Sequence, residues 1–165
     1  MEFTLRPWAK TDIDALVEYG NNYNIARNMR NIFPHPYTNQ DAVKFLERTI
    51  PLRPVNIFAI DINGKASGGI GVFPQDDIMC KNAELGYWLA EPFWGKGIIT
   101  KAIGQVVAYG FKTFDIDRIY AIPFGTNIAS QKALEKAGFR LEARFDKTIF
   151  KNGVYYDELV YAIRK

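Results

Sequence analysis

The chain contains one cysteine, Cys80, and one histidine, His35, among 165 residues. A lone cysteine cannot close an intramolecular disulfide, and so few sulfur and imidazole ligands cannot build a zinc cluster. Long hydrophobic runs are missing too: none approaches the ~20 apolar residues that carry a helix across a bilayer. The opening MEFTLRPWAK has a charge at Glu2 and no extended apolar core, so it does not read as a signal peptide. Neither sign of charge is in large excess. A net charge of +3 gives no indication of nucleic acid, which calls for a clustered basic face. The expectations are a reducing, cytoplasmic setting, with no nucleic-acid partner, no membrane and no metal.

What is present is an ordinary globular composition, 48% hydrophobic and 24% charged, at a length that suits one domain over residues 1–165. No repeat, low-complexity tract or linker interrupts it. Phe3-Thr-Leu-Arg reads as a first strand, and Thr11-Asp12 as a cap for a helix carrying Ile13, Leu16, Val17 and Tyr19. In FPHPYT, Pro34 and Pro36 hold His35 extended, and Thr38 is placed to cap a helix carrying Val43, Phe45 and Leu46. Two Asn-Gly pairs, Asn63-Gly64 and Asn152-Gly153, each separate strand-like runs and predict hairpins. Between them lie the strand NAELGYWLA, a helix, the strand RIYAI, and a second helix from Asn127 to Ala137 stopped by Gly138. This order predicts a mixed α+β fold, a sheet covered by helices.

The stretch EPFWGKGIITKAI carries the strongest chemical signal. After Gly97, apolar residues fall at Ile98, Ile99, Ala102, Ile103, Val106, Val107, Gly110, Phe111 and Phe114, the spacing of a helix with one buried stripe. The first turn of such a helix has N–H groups without intrahelical acceptors, and the helix dipole adds partial positive charge. Gly95 and Gly97 remove side chains where a ligand would approach the backbone; Lys96 adds a cation and Thr100 a hydroxyl. These are the ingredients of a phosphate or pyrophosphate site. Neither GxxxxGK[ST] nor the dinucleotide GxGxxG fits the spacing.

Here a family resemblance begins. GYWLAEPFWGKGIITKAI closely resembles the acetyl-CoA-binding segment of the GNAT acyltransferases in their RimJ/RimL-like branch, whose pattern of Arg or Gln, two residues, Gly, one residue, Gly or Ala aligns with Trp94 to Ile99. Trp94 suits that branch; Ile99 departs from the small residue of the pattern. NIASQKALEKAGF resembles the family's next motif, FPHPYTNQDAVKFL its substrate-side segment, and NGVYYDELVYAI its last hairpin. The resemblance implies a GNAT-like fold: a twisted, predominantly antiparallel mixed sheet flanked by helices, with a splayed central strand pair. It also implies acetyl-CoA as co-substrate and an amine acceptor, either a peptide N-terminus or a small molecule. The assembly expected is a monomer or homodimer.

Residue by residue, Glu84 on AELGYWL is the candidate base, and alternation puts it on a face with Gly86, Trp88 and Ala90. The resemblance assigns the backbone of Trp88, Leu89 and Ala90 to the pantetheine arm and Trp94, Gly95, Lys96, Gly97, Ile98, Ile99 and Thr100 to the pyrophosphate. Asn127 would bond the pantetheine or acetyl region, or simply cap its helix. The position where many relatives carry a thiolate-protonating tyrosine matches Leu134, which leaves Ser130 as cofactor contact and alternative acid, or departure of the thiolate unaided. His35, Tyr37, Tyr155, Tyr156 and Asp157 are candidates for the acceptor side, where an acidic group suits a cationic amine. A non-catalytic acyl-CoA sensor is the alternative reading.

Overall fold

The computed structural model describes residues 1–165. In chain order the elements are β1 (Thr4–Pro7), α1 (Ile13–Gly20), α2 (Tyr23–Ala26), α3 (Asn39–Thr49), β2 (Ile57–Ile62), β3 (Lys65–Pro74) and β4 (Asn82–Leu89). Then follow α4 (Ile98–Thr113), β5 (Arg118–Ala121), α5 (Ile128–Lys136), β6 (Arg140–Lys151) and β7 (Val154–Arg164). The strands form one seven-stranded sheet in the order β1-β2-β3-β4-β5-β7-β6. β1–β2, β2–β3, β5–β7 and β6–β7 are antiparallel, and β4–β5 is parallel. The mixed α+β fold read from the sequence is therefore the fold observed.

Both Asn-Gly pairs form the predicted hairpin turns. Asn63 and Gly64 have φ of 54° and 81°, and Asn152 and Gly153 of 51° and 78°. Thr38 caps α3 as expected: its hydroxyl accepts from the Asp41 N–H, while the Asp41 carboxylate accepts from the Thr38 N–H. Gly138 lies just beyond α5 at φ 93°. Asp12 precedes α1 but its carboxylate does not cap it. That carboxylate accepts instead from Arg6 Nη1 and Nη2, both at 2.8 Å, and from the Ala9 N–H at 2.9 Å. An ion pair with a neighbouring strand outcompetes the local cap.

The β4–β5 pairing joins Asn82, Ala83 and Glu84 to Arg118, Ile119 and Tyr120. β5 ends at Ala121, yet β4 runs on to Leu89. The parallel pairing is thus confined to these residues.

The chain divides into two compact units: Met1–Gly71 with Tyr87–Ala102, and Val72–Gly86 with Ile103–Lys165. The first has an aromatic core in which Trp8 meets Phe45 edge-on at 5.3 Å and Phe33 meets Trp88 at 5.6 Å, surrounded by buried Leu16, Ile25 and Leu46. Trp88 lies so close to β3 that a Cβ on Gly68 would sit 2.5 Å from its carbonyl oxygen, which explains a glycine there. At this unit's edge Arg6 also donates from Nε to Asp61 at 2.7 Å, joining β1 to β2.

In the second unit Val106, Ile116, Ile119 and Leu134 are almost wholly buried. Each such side chain contributes roughly 1.5–3 kcal/mol. The α4 backbone at Gly110 approaches the side chains of Ile119 and Val72. The buried stripe predicted for α4 holds at Ile98, Ala102, Ile103, Val106, Val107 and Gly110, whereas Ile99, Phe111 and Phe114 are partly covered. Arg118 donates to Asn82 on the adjacent β4 and to Glu142 on β6, two strands away. No helix is long and apolar enough to cross a membrane.

Candidate functional site

In the first unit, β4 leads through a 3₁₀ turn, Glu91–Phe93, and the segment Trp94-Gly95-Lys96-Gly97 into α4. Gly95 and Gly97 have φ of 73° and 72°, the left-handed region where a side chain costs about 1–2 kcal/mol. A Cβ on either would nevertheless meet no atom within 4 Å. The glycines therefore shape the backbone and leave open space over it. The first intrahelical bond of α4 runs from the Lys101 N–H to the Gly97 carbonyl at 3.3 Å. By geometry the N–H groups of Ile98, Ile99 and Thr100 precede that bond and lack an intrahelical acceptor. A concave turn of left-handed glycines before such donors suits phosphate oxygens.

Other groups of this turn are already engaged. Trp94 is 44% exposed, and its indole Nε1 donates to the Leu89 carbonyl at 2.7 Å. The Ala90 N–H donates to the Ser67 carbonyl at 2.8 Å. Hence the Leu89 C=O and Ala90 N–H, both assigned to pantetheine by the resemblance, have partners inside the protein. Trp88, Leu89 and Ala90 are all buried. Lys96 is folded back: its ammonium donates to the Pro92 carbonyl at 2.8 Å and lies 5.4 Å from the Phe93 ring centre.

The segment FPHPYT belongs to this unit too. His35 is exposed and its ring lies 5.7 Å from that of Tyr23. Tyr37 is in the core, 5% exposed, packed on Phe33 at 5.1 Å; burial pushes its phenol up to about 12. The two residues thus differ in role, one at the surface and one holding the segment down.

In the second unit Glu84 is half-buried on β4, opposite Tyr120 of β5. Ala83 and Leu85 beside it are buried, so alternation gives Glu84 and Gly86 the other face. That alternation lapses downstream, where Trp88 and Leu89 are buried in succession. Asn127 caps α5 through its Oδ1, which accepts from the Ser130 N–H at 3.2 Å. Sequence motif and helix cap are here the same contact. Ser130 is half-buried in the first turn of α5, and Leu134 is fully buried.

Asp157 is held by Arg144, whose Nε lies 2.9 Å from its Oδ2, and by the Lys147 N–H at 3.1 Å from Oδ1. The Lys147 N–H and then the Arg144 guanidinium keep its carboxyl below the usual range. Tyr155 is 63% exposed against Phe150, and Tyr156 packs on Phe124. These three residues of β7 do not converge: Asp157 is spent on Arg144 and the tyrosines stack on different partners. No group of three His, Cys, Asp or Glu side chains is placed to hold a metal ion. A cavity of about 380 Å³ is lined by Ile13, Leu46, Ile50 and others and contains no predicted site residue.

With this geometry established, the profile of the acetyltransferase (GNAT) domain matches residues 2–140. The chain belongs to the GNAT acetyltransferase family. Among curated relatives, the uncharacterized N-acetyltransferase YoaA of Bacillus subtilis is 38% identical over 85 residues, covering 52% of this chain and 48% of its own. The chain spans about half the length of several curated relatives it matches. A spermidine N(1)-acetyltransferase of Escherichia coli is 24% identical over 152 residues, 92% of this chain and 80% of its own. Among solved structures, the microcin C7 self-immunity acetyltransferase MccE, crystallised with acetyl-CoA and AMP, superposes with a TM-score of 0.86 at 28% identity, covering 99% of this chain and 93% of its own.

Three features of the site were not anticipated from sequence: the Trp94–Leu89 bond, the folded-back Lys96, and the capture of the Glu91 carboxylate by Asn22 and Asn24. Only the asparagine-rich stretch NNYN hinted at the last, and it gave no sign of its partner.

Proposed function

We propose that this GNAT chain is an acetyl-CoA-dependent N-acetyltransferase of the RimJ/RimL-like branch, working as one domain over residues 1–165. The observation that carries the reading is the open, left-handed Gly95–Gly97 turn ahead of the unpaired first-turn donors of α4. Those residues fit a pyrophosphate, with the Ile98, Ile99 and Thr100 N–H groups as donors.

Acetyl transfer needs a neutral amine, although an α-amine has pKa ~8 and a lysine ~10.4. Glu84 serves as base, directly or through water, as the amine nitrogen bonds to the thioester carbon and the C–S bond breaks. With the tyrosine position occupied by buried Leu134, the departing thiolate takes its proton from Ser130 or solvent. Asn127 orients the Ser130 turn. The acceptor is a primary amine, on a protein N-terminus or a small molecule, and His35 is the exposed candidate on that side.

Thiol release from acetyl-CoA against an acceptor panel tests the reading: peptides with free N-termini, an N-blocked lysine peptide, polyamines and aminoglycosides. Acceptor-dependent release with the acetylated product identified by mass supports it. Buried Leu134 in place of a tyrosine also favours a second reading, a non-catalytic acyl-CoA sensor. Tight acetyl-CoA binding with no release on any acceptor selects that one.

A further inference from the structure

Glu91 precedes the Gly95–Gly97 turn, and its carboxylate is a poor neighbour for a diphosphate. It nevertheless has a built receptor. Asn22 Nδ2 donates to its Oε2 at 2.7 Å, and Asn24 Nδ2 lies 3.1 Å from Oε1 and 3.2 Å from Oε2. Asn22 does two jobs, since its Oδ1 also accepts from the Asn24 N–H at 2.8 Å and so caps α2. Next to it, Asn21 Oδ1 accepts from the Tyr37 N–H at 3.0 Å. The stretch NNYN therefore uses three side chains to join two segments distant in sequence: residues 33–38 on one side and the turn after β4 on the other.

Further contacts flank both ends of this connection. Tyr19 at the end of α1 meets Phe93 edge-on at 6.1 Å. The Trp94 N–H donates to the Glu91 carbonyl at 3.1 Å, and its indole holds Leu89. Tyr37 is anchored in the core, and the exposed His35 lies two residues before it in the same segment. The Glu91 carboxyl is held below its usual range by Asn22 first and then Asn24, so the carboxylate accepts both amides throughout the neutral range.

We propose that Glu91 is a positioning residue, a brace by which occupation of the Gly95–Thr100 turn orders the NNYN corner and, through Asn21, the 33–38 segment on the acceptor side. This rests on the proposed function, because the occupant of the turn is the diphosphate of coenzyme A. The brace makes filling of the turn and ordering of the acceptor segment parts of one event, a coupling between two binding regions.

Hydrogen-exchange mass spectrometry with coenzyme A as the probe tests it without knowledge of the acceptor. In the wild type, coenzyme A slows exchange in residues 94–101 and also, by about threefold or more, in residues 21–38. Glu91→Ala, which removes both acceptor oxygens, retains protection at 94–101 and loses it at 21–38. Glu91→Gln, whose amide oxygen can take the place of Oε2 and accept from both asparagines, keeps it. Protection confined to 94–101 in the wild type, or a Glu91→Ala response identical to wild type, overturns the brace and leaves the proposed function standing. Absence of protection at 94–101 overturns both. Loss of exchange protection in Glu91→Ala without coenzyme A would mark a merely structural residue, which also contradicts the proposal.

Discussion

Trp94 Nε1 donates to the carbonyl oxygen of Leu89 at 2.7 Å, closing the turn before α4 back onto the end of β4. The contact uses one carbonyl at the point where β4 has outrun its parallel partner. It makes Trp94 part of the turn's frame, even though the residue is 44% exposed. Trp94→Phe keeps the ring and removes the donor. A net hydrogen bond of about 1 kcal/mol, made before any ligand binds, predicts a loss of stability of about that size, or roughly 2–4 °C in melting temperature. An unchanged melting temperature would show that the bond does not support the turn.

The glycines of the turn separate two effects that usually coincide. Their φ values require a left-handed backbone, yet space over both is open. Gly95→Ala is expected to cost about 1–2 kcal/mol of stability from backbone strain alone. Denaturant unfolding checks this; a loss under a few tenths of a kcal/mol would mean that the turn relaxes at no cost.

Glu84→Gln is expected to lower turnover at neutral pH by about two orders of magnitude and to leave acetyl-CoA affinity within about twofold. Wild-type rate should fall on the acid side as the base protonates, and that limb should flatten in the variant. A variant with full turnover across the pH range would remove Glu84 from the chemistry.

Much of this was legible in the chain. Asn63-Gly64 and Asn152-Gly153 marked their hairpins because positive φ is a local property, and Thr38 with Asp41 marked a helix start for the same reason. The stripe of α4 and the glycines before it followed from periodicity and motif, as did the family. Asp12 went wrong as a cap because its decisive partner, Arg6, sits on β1 and a sequence reading weighs the nearest backbone first. Asp157 looked like an acceptor-side carboxylate because nothing local reveals that Arg144, across the β6–β7 hairpin, already holds it. Glu91 was invisible as a brace, since its asparagines lie 69 and 67 residues away.

The Arg6–Asp12–Asp61 cluster gives a pH prediction. Burial raises the Asp12 carboxyl, but the Arg6 bonds and the Ala9 N–H outweigh it, and the net direction is down. A carboxyl depressed in the folded state contributes stability above its unfolded value of ~3.9 and loses it as pH falls further, through the folded value. Stability should therefore be flat from pH 7 to about 5 as far as Asp12 is concerned and decline below about 4. Asp12→Asn should cost about 1–3 kcal/mol at pH 7, with Asp61 still pairing Arg6, and should shrink the acid-side decline. An equal decline in wild type and variant would place the acid sensitivity elsewhere.

The central claim is that the turn between β4 and α4 receives the pyrophosphate of acetyl-CoA. Isothermal titration of acetyl-CoA into the wild type and Gly97→Glu, each confirmed folded by circular dichroism, tests it most directly. The account predicts saturable binding to the wild type and none measurable to Gly97→Glu, whose carboxylate fills the open space over the turn. Equal affinity in the two proteins would contradict it.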